Sequence, residues 1–231
     1  MRPYLLLATL AAALPAVSIA APQNLNNCQA ITQPGSYVVN RNLAANGDCL
    51  VVAADFVSID LGGFVLQGNG SGAGVSVPFG PVRRGLSVRN GTVTGFAYGI
   101  DAGNTAGASI ERVNATANSL HGIVGGDRAI VLRSQALDNG GDGIRGGRGA
   151  TISGSVVGDN QNGIFVIEGS SVLHSVSRNN RAHGVWMFCP GLFLGNVSTN
   201  SGTVVAGSEN FHQSGGCEDV HNAAGPQIPG D

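Results

Sequence analysis

The sequence predicts an all-β protein whose short strands coil into a parallel β-helix, with about 20 to 25 residues in each coil. The composition agrees, because 37 of the 231 residues are glycine and only 11% are charged, which is too rich in glycine for a helical protein. One repeated marker is a glycine followed by valine or isoleucine, at steps of 25, 23, 21, 20 and 21 residues: Gly74, Gly99, Gly122, Gly143, Gly163 and Gly184. A second marker is an asparagine, at steps of 21, 21, 19 and 21 residues: Asn118, Asn139, Asn160, Asn179 and Asn200.

The first twenty residues have the features of a secretory signal peptide. Arg2 supplies a positive charge, residues 5–17 are an apolar run, and Ser18-Ile19-Ala20 matches a cleavage site. The run is short for a bilayer span, although a short membrane anchor is the alternative. We therefore expect a signal peptide at 1–20, a β-helix domain with an N-terminal cap at 21–208, and a C-terminal tail at 209–231. The mature protein would be secreted or periplasmic and would not be inserted in a membrane.

Four cysteines lie near the two ends of the expected domain, and export favours disulfide formation. Proximity in sequence favours Cys28–Cys49 and Cys189–Cys217 over the two other possible sets of pairs. The net charge is −2, and every basic residue is an arginine. Because the chain has no basic field, we expect no nucleic-acid partner.

The segments between the markers resemble strands and turns. Runs such as "ASIERV" and "AIVLRS" are broken by Asn, Asp and Gly and lack the period of an amphipathic helix. One coil cannot bury its own apolar face, but stacked coils share a core, with strands about 4.8 Å apart. The repeated asparagines are therefore predicted to form one side-chain ladder along the stack.

A family resemblance supports this fold. The segments "ITQPGSYVVNRNL", "VSIDLGGFVLQG" and "LSVRNGTVTGFAYGI", with the later coils to about residue 205, resemble bacterial secreted right-handed β-helix proteins of the pectin-lyase-like superfamily. The resemblance implies a single-stranded right-handed parallel β-helix and an acidic polysaccharide partner such as pectate or alginate. The Asp-Asp pair, the Gly-His-Gly and the Trp-Ile-Asp-His of its enzymes are absent from this sequence. Whether the protein is an enzyme, of a polysaccharide-lyase-like kind, therefore stays open.

One column of side chains is predicted to point outward, because it follows the inward hydrophobic residue of each glycine marker. Arg145 would bind a carboxylate, and the aromatic side chains, with Phe188 and Ile167 beside them, would stack on sugars. The alternative is that a loop, the tail or another subunit covers this strip; the oligomeric state is open. The column is Asp101, Val124, Arg145, Phe165 and Trp186.

The column before each glycine contains the candidate catalytic residues. His121 and Asp142 would lie one rung apart, so that the carboxylate orients the imidazole as a general base, while Arg145 neutralises a uronate. Asp101 and His183 complete the predicted substrate site. The alternative is a ladder of polar turn residues that satisfies main-chain groups.

Asp138 and Asp159 each precede a marker asparagine. Stacked carboxylates could share a calcium ion, although Asp-Asn-Gly turns also have an ordinary conformational explanation. No other cofactor is expected. Two functions follow: binding, with possible cleavage or modification, of acidic polysaccharide, or a non-catalytic surface or assembly role.

Overall fold

The computed structural model describes residues 21–201, 211–214 and 216–225, so the predicted signal peptide lies outside the described residues. Their regular structure consists of β-strands, stacked in parallel as a solenoid with three faces per turn. Among the described residues, no helix has the length and apolar character needed to cross a membrane.

The first face contains ten strands: Gln23–Leu25, Gly35–Val39, Val57–Asp60, Ser87–Thr94, Ser109–Thr116, Ile130–Leu132, Thr151–Ser153, Ser170–Leu173, Gly191–Leu194 and Glu218–Val220. The second face continues from the ends of Ser87–Thr94 and Ser109–Thr116, and otherwise contains Leu43–Ala44, Val65–Gln67, Gln135–Leu137, Val156–Gly158, Val176–Arg178, Val197–Thr199 and Ala223–Ala224.

The third face, which carries the candidate site, contains Gln29–Ile31, Leu50–Val52, Ala73–Ser76, Tyr98–Ala106, Ile123–Asp127, Asp142–Gly146, Asn162–Val166, Val185–Phe188 and Phe211–Ser214. A short strand, Arg83–Arg84, pairs with the end of Tyr98–Ala106. The core lies between the faces. Its third-face column is buried and in register from coil to coil: Ile100, Ile123, Ile144, Ile164 and Val185.

An asparagine ladder runs inside the corner between the second and third faces, and it corrects the predicted register. Its members are Asn118, Asn139, Asn160 and Asn180, all at most 1% exposed. Each Nδ2 donates to the Oδ1 of the next member, at 2.9, 2.9 and 3.1 Å. The prediction was wrong for Asn179 and Asn200, which are exposed and have φ of 53° and 50°. They occupy the left-handed turn position just before the ladder, which asparagine tolerates well.

A second polar ladder at the corner between the first and second faces was not predicted. In each of five successive coils a side-chain oxygen accepts a hydrogen bond from the main chain of the coil before, at 2.7 to 3.3 Å. Its members are Ser134, Ser155, Ser175, Asn196 and Asn222. Because the residue type changes from serine to asparagine along the stack, no single-residue marker reveals this ladder in the sequence.

Both ends of the described solenoid carry a disulfide, and both predicted pairs are confirmed. The Cα atoms are 4.4 Å apart in Cys28–Cys49 and 5.1 Å apart in Cys189–Cys217, and the described residues include no free cysteine. Beyond residue 208, three strands pair in parallel with the preceding coil. The described part of 209–231 therefore extends the solenoid, where the sequence analysis expected a separate tail.

Candidate functional site

The outward column of the third face lies where the sequence predicts it. Asp101 pairs with Val124, Val124 with Arg145, Arg145 with Phe165, and Phe165 with Trp186. Because each follows a fully buried hydrophobic residue on its strand, alternation directs the column to the surface. Arg145 is exposed, and the other four side chains are half-buried.

Aromatic side chains form a cluster at one end of this column. The Phe165 ring lies 5.1 Å from Trp186 and 5.8 Å from Phe188, both edge-on, and the last two rings are 5.7 Å apart. Such edge-to-face pairs are favourable arrangements of aromatic rings. Phe188 remains 38% exposed, so the described residues leave part of the cluster open to solvent.

Arg145 connects the aromatic cluster with the polar part of the site. Its guanidinium carbon lies 4.6 Å from the centre of the Phe165 ring, and its Nη1 is 3.4 Å from Oδ2 of Asp142. The cation–π contact and the ion pair hold the head of the side chain in place. Since 45% of the side chain is exposed, donors remain available to a ligand.

His121 and Asp142 are close, but not in the arrangement that the sequence predicts for a general base. The Asp142 main-chain N–H donates to Nδ1 of His121 at 2.8 Å, whereas Oδ2 of Asp142 lies 3.6 Å from that nitrogen. The main chain of Asp142, and not its carboxylate, therefore orients the imidazole. With Nδ1 occupied as an acceptor, neutral His121 carries its proton on Nε2, so the outer nitrogen is a donor. Acting as a base through Nε2 would require the other tautomer and the loss of this hydrogen bond.

The surroundings of His121 favour its neutral form. Burial lowers its pKa from the ordinary value, and the positive charge of Arg145 lowers it further. Asp142 and Asp101 oppose this shift without reversing it. The Tyr98 ring lies 5.6 Å from the imidazole and is the nearest aromatic neighbour that the structure shows.

Asp142 is a buried carboxylate and not an open one. Its side chain is 6% exposed, and Oδ1 accepts a hydrogen bond from Asn162 Nδ2 at 2.8 Å. Asn162 Oδ1 in turn accepts the His183 main-chain N–H at 3.2 Å. This part of the column matches the alternative expectation, a polar ladder that satisfies main-chain groups.

His183, which is predicted to bind substrate, lies beside the aromatic cluster. The residue is 8% exposed, and its ring centre lies 4.8 Å from that of Trp186. Little of its surface is open to a ligand, and its part in substrate binding stays a prediction.

Two adjoining grooves run along the third face beside the outward column. One, of about 220 Å³, is lined by Val124, Arg145, Phe165, Ile167 and several glycines; the other, of about 290 Å³, is lined by Val77, Phe79, Asp101 and Asn104. Gly103 lines both grooves, so they meet there. Close packing between coils requires glycine in the groove lining. A Cβ atom on Gly126, for example, would lie 2.0 Å from the carbonyl oxygen of Thr105.

Asp138 and Asp159 lie on successive coils at the left-handed turn before the asparagine ladder, with φ of 56° and 59°. Both are exposed, and no group of three or more His, Cys, Asp or Glu side chains within 21–201, 211–214 and 216–225 could hold a metal ion. Calcium takes six to eight oxygen ligands, so two carboxylates supply only a small part of a site. The calcium site stays a prediction, while the positive φ gives both residues a conformational role.

Comparison with known proteins supports the fold. No family model matches the chain, and no curated protein matches it in sequence. Among solved structures, the A-module of mannuronan C-5 epimerase AlgE4 from Azotobacter vinelandii is similar, with a TM-score of 0.53 and 13% identity. The match covers 85% of this chain and 88% of that module. The shared fold is the right-handed parallel β-helix. The right-handed β-helix fold that the resemblance implies is thus confirmed.

Proposed function

We propose that this protein binds an acidic polysaccharide along the third face, with Arg145 contacting a sugar carboxylate and the Phe165, Trp186 and Phe188 cluster contacting sugar rings. The observation that carries the proposal is the Arg145 side chain, which is held between Phe165 and Asp142 and is still 45% exposed beside a groove.

The chemistry of this surface suits a uronate. A guanidinium presents paired donors that match a carboxylate. The contact with the Phe165 ring already restricts the Arg145 side chain, so that less conformational entropy is lost when a ligand binds. Aromatic side chains supply large apolar contact area at low entropic cost, which suits the C–H faces of a pyranose. The similar solved structure is named for its action on mannuronan, an acidic polysaccharide, and this supports the ligand class at the level of a shared fold.

Turnover of the bound sugar is a second candidate, because His121 and Arg145 both lie beside Asp142 and Arg145 lines the groove. Binding is the better supported of the two. Nε2 of neutral His121 is a hydrogen-bond donor and not a base, and the Asp142 carboxylate is buried. A reaction that needs a base at this position would have to change the His121 tautomer.

The rival function is a non-catalytic assembly role, in which the same strip contacts another protein copy. The partly exposed Phe188 favours that role as well as sugar binding. The two functions place different demands on the strip: a sugar site uses the exposed donors of Arg145, whereas an apolar protein contact depends mainly on the aromatic rings.

The test is a calorimetric screen of the mature protein against polygalacturonate, alginate and gellan oligosaccharides, with ultraviolet absorbance to detect unsaturated products. We expect binding of at least one of them, weakened in Arg145→Ala and Trp186→Ala variants that remain folded. Unchanged binding in both variants, or no binding together with a dimer that Trp186→Ala dissociates, would favour the assembly role.

A further inference from the structure

The groove around Phe79 is not used by the proposed carboxylate site, although it adjoins that site at Gly103. Phe79 is fully exposed, on the segment "VPFGPVRR" that connects two third-face strands. Val82 on the same segment is 57% exposed, so two large apolar side chains lie open within four residues, and grouped exposed apolar side chains are a feature of contact surfaces.

The loop that carries Phe79 is held in place by the strand below it. Nδ2 of Asn104 lies 2.8 Å from the carbonyl oxygen of Pro78 and within 3.4 Å of those of Gly80 and Pro81. Proline at 78 and 81 further restricts the backbone. An exposed ring on a fixed loop loses little freedom when it binds, which favours a preformed contact.

The two adjoining grooves are lined by different charged side chains, and Arg145 shares its groove with Asp127. Asp101 lines the Phe79 groove, its Oδ1 accepts the Gly103 N–H at 3.2 Å, and among the described residues no arginine lies within ion-pair distance of it. Asp101 and Arg145 are two coils apart, which is roughly 10 Å along the solenoid axis. A second sugar carboxylate placed beside Asp101 would be repelled, whereas sugar hydroxyls could donate to it.

We infer that the Phe79 groove is a second subsite of the same binding face, and that it takes a neutral, hydroxyl-bearing sugar while Arg145 takes the carboxylate. The inference rests on the proposed function and narrows its ligand. The preferred ligand is a sparsely carboxylated glycan, in which a uronate is flanked by neutral sugars, and not a homopolymer of uronates. Phe79 contacts the neutral sugar ring, and Asp101 selects against a neighbouring carboxylate.

The experiment compares deacylated gellan oligosaccharides, whose repeat holds a single glucuronate among neutral sugars, with oligogalacturonates of equal length. Affinities are measured by calorimetry at low salt for the wild type, Asp101→Asn, Phe79→Ala and Arg145→Ala. Phe56→Ala is the matched control, because Phe56 is exposed but does not line either groove. Asp101→Asn keeps the shape of the side chain and removes its charge.

We expect the wild type to bind the gellan oligosaccharide several-fold more tightly than the oligogalacturonate. Asp101→Asn should reduce this preference by raising the affinity for the oligogalacturonate, and the rise in affinity should fade as the salt concentration increases. Phe79→Ala should weaken gellan binding several-fold, and Phe56→Ala should leave it unchanged.

If the wild type and Asp101→Asn both bind the two oligosaccharides with equal affinity, the subsite is wrong. The proposed function remains supported in that case when Arg145→Ala weakens the binding of both oligosaccharides. If neither oligosaccharide binds, the subsite is wrong, and the proposed function fails as well when alginate also shows no binding. If Phe79→Ala instead dissociates an oligomer in analytical ultracentrifugation, Phe79 is a protein contact and the inference is wrong.

Discussion

Two columns that run along the same coils differ in how much their residues repeat. Inside the corner, Asn118, Asn139, Asn160 and Asn180 are the same residue in four successive coils, because each amide must both donate and accept along the ladder. On the outside of the third face, the five residues of the outward column, which runs from Asp101 to Trp186, are all of different types. Positions that repeat are constrained by the scaffold, and positions that diverge without such a constraint are free to serve a surface function.

The largest effect is expected for Asn139→Ala, which interrupts the buried ladder. It would leave the Asn118 main-chain N–H and Nδ2 without their acceptor, and Asn160 Oδ1 would keep only the main-chain N–H of residue 139 as a donor. Buried polar groups left without partners cost about 1–3 kcal/mol each, so we expect the free energy of unfolding to fall by about 4 kcal/mol in chemical denaturation. Asp138→Ala, at the exposed neighbouring position, should cost less than about 1 kcal/mol. Similar losses in the two variants would contradict the buried ladder.

A smaller effect on stability tests the corrected register at adjacent asparagines. Asn180 accepts two hydrogen bonds from Asn160, whereas Asn179 is exposed. We expect Asn180→Ala to lower the unfolding free energy by about 2 kcal/mol and Asn179→Ala by well under half of that. The reverse order would restore the register that the sequence predicts, with Asn179 and not Asn180 in the buried ladder.

Trp186→Ala tests the outward column, where the expected loss is in binding. Removing the ring takes away apolar contact with the sugar, so affinity for an acidic oligosaccharide should fall about tenfold, which corresponds to about 1.4 kcal/mol, with little dependence on salt. Val176→Ala, an exposed apolar change on the second face, is the matched control and should bind as the wild type does. Equal losses in both variants would point to a general loss of structure.

Arg145→Ala should have a smaller effect on affinity that depends on salt. We expect about a fivefold loss at low ionic strength, because a charged hydrogen bond to the carboxylate disappears, and most of the difference should vanish near 1 M salt. Arg148→Ala is the control, since Arg148 is exposed and paired with Glu168 outside the grooves. A loss that persists at high salt would mean that Arg145 acts by packing on Phe165.

The smallest effect concerns the pH dependence of stability. Because burial lowers the pKa of His121 in the folded protein, the unfolded chain takes up the proton first as pH falls below about 6.5. The free energy of unfolding should therefore decrease from about pH 6.5 down to the pKa of His121 in the folded protein. Below that pH, His121 should cause no further change. His121→Asn should flatten that part of the profile in thermal denaturation. An unchanged slope in the variant would show that His121 is not its source.

The sequence predicts the fold and the outward column well, because two features fix the register of the third face. One is the alternation of buried residues, and the other is the set of marker glycines such as Gly99, Gly122 and Gly163, which leave no room for a Cβ atom against the next coil. It misses the ladder position at 179–180, where two asparagines are adjacent and the coil from Asn160 to Asn180 is 20 residues long. It also misses the partners of Asp142. That carboxylate is held by Asn162 from the next coil and by Arg145, and neither contact is implied by the His121–Asp142 spacing.

The most direct test of the account is a calorimetric titration of the tightest-binding acidic oligosaccharide into the wild type and into the Arg145→Ala/Trp186→Ala double variant. Circular dichroism would verify that both proteins are folded. If the outward column is the binding surface, the two losses should combine to about fiftyfold or less at low salt, since neighbouring sites need not be additive. An unchanged affinity in a folded double variant would show that the ligand binds elsewhere and would contradict the proposed function.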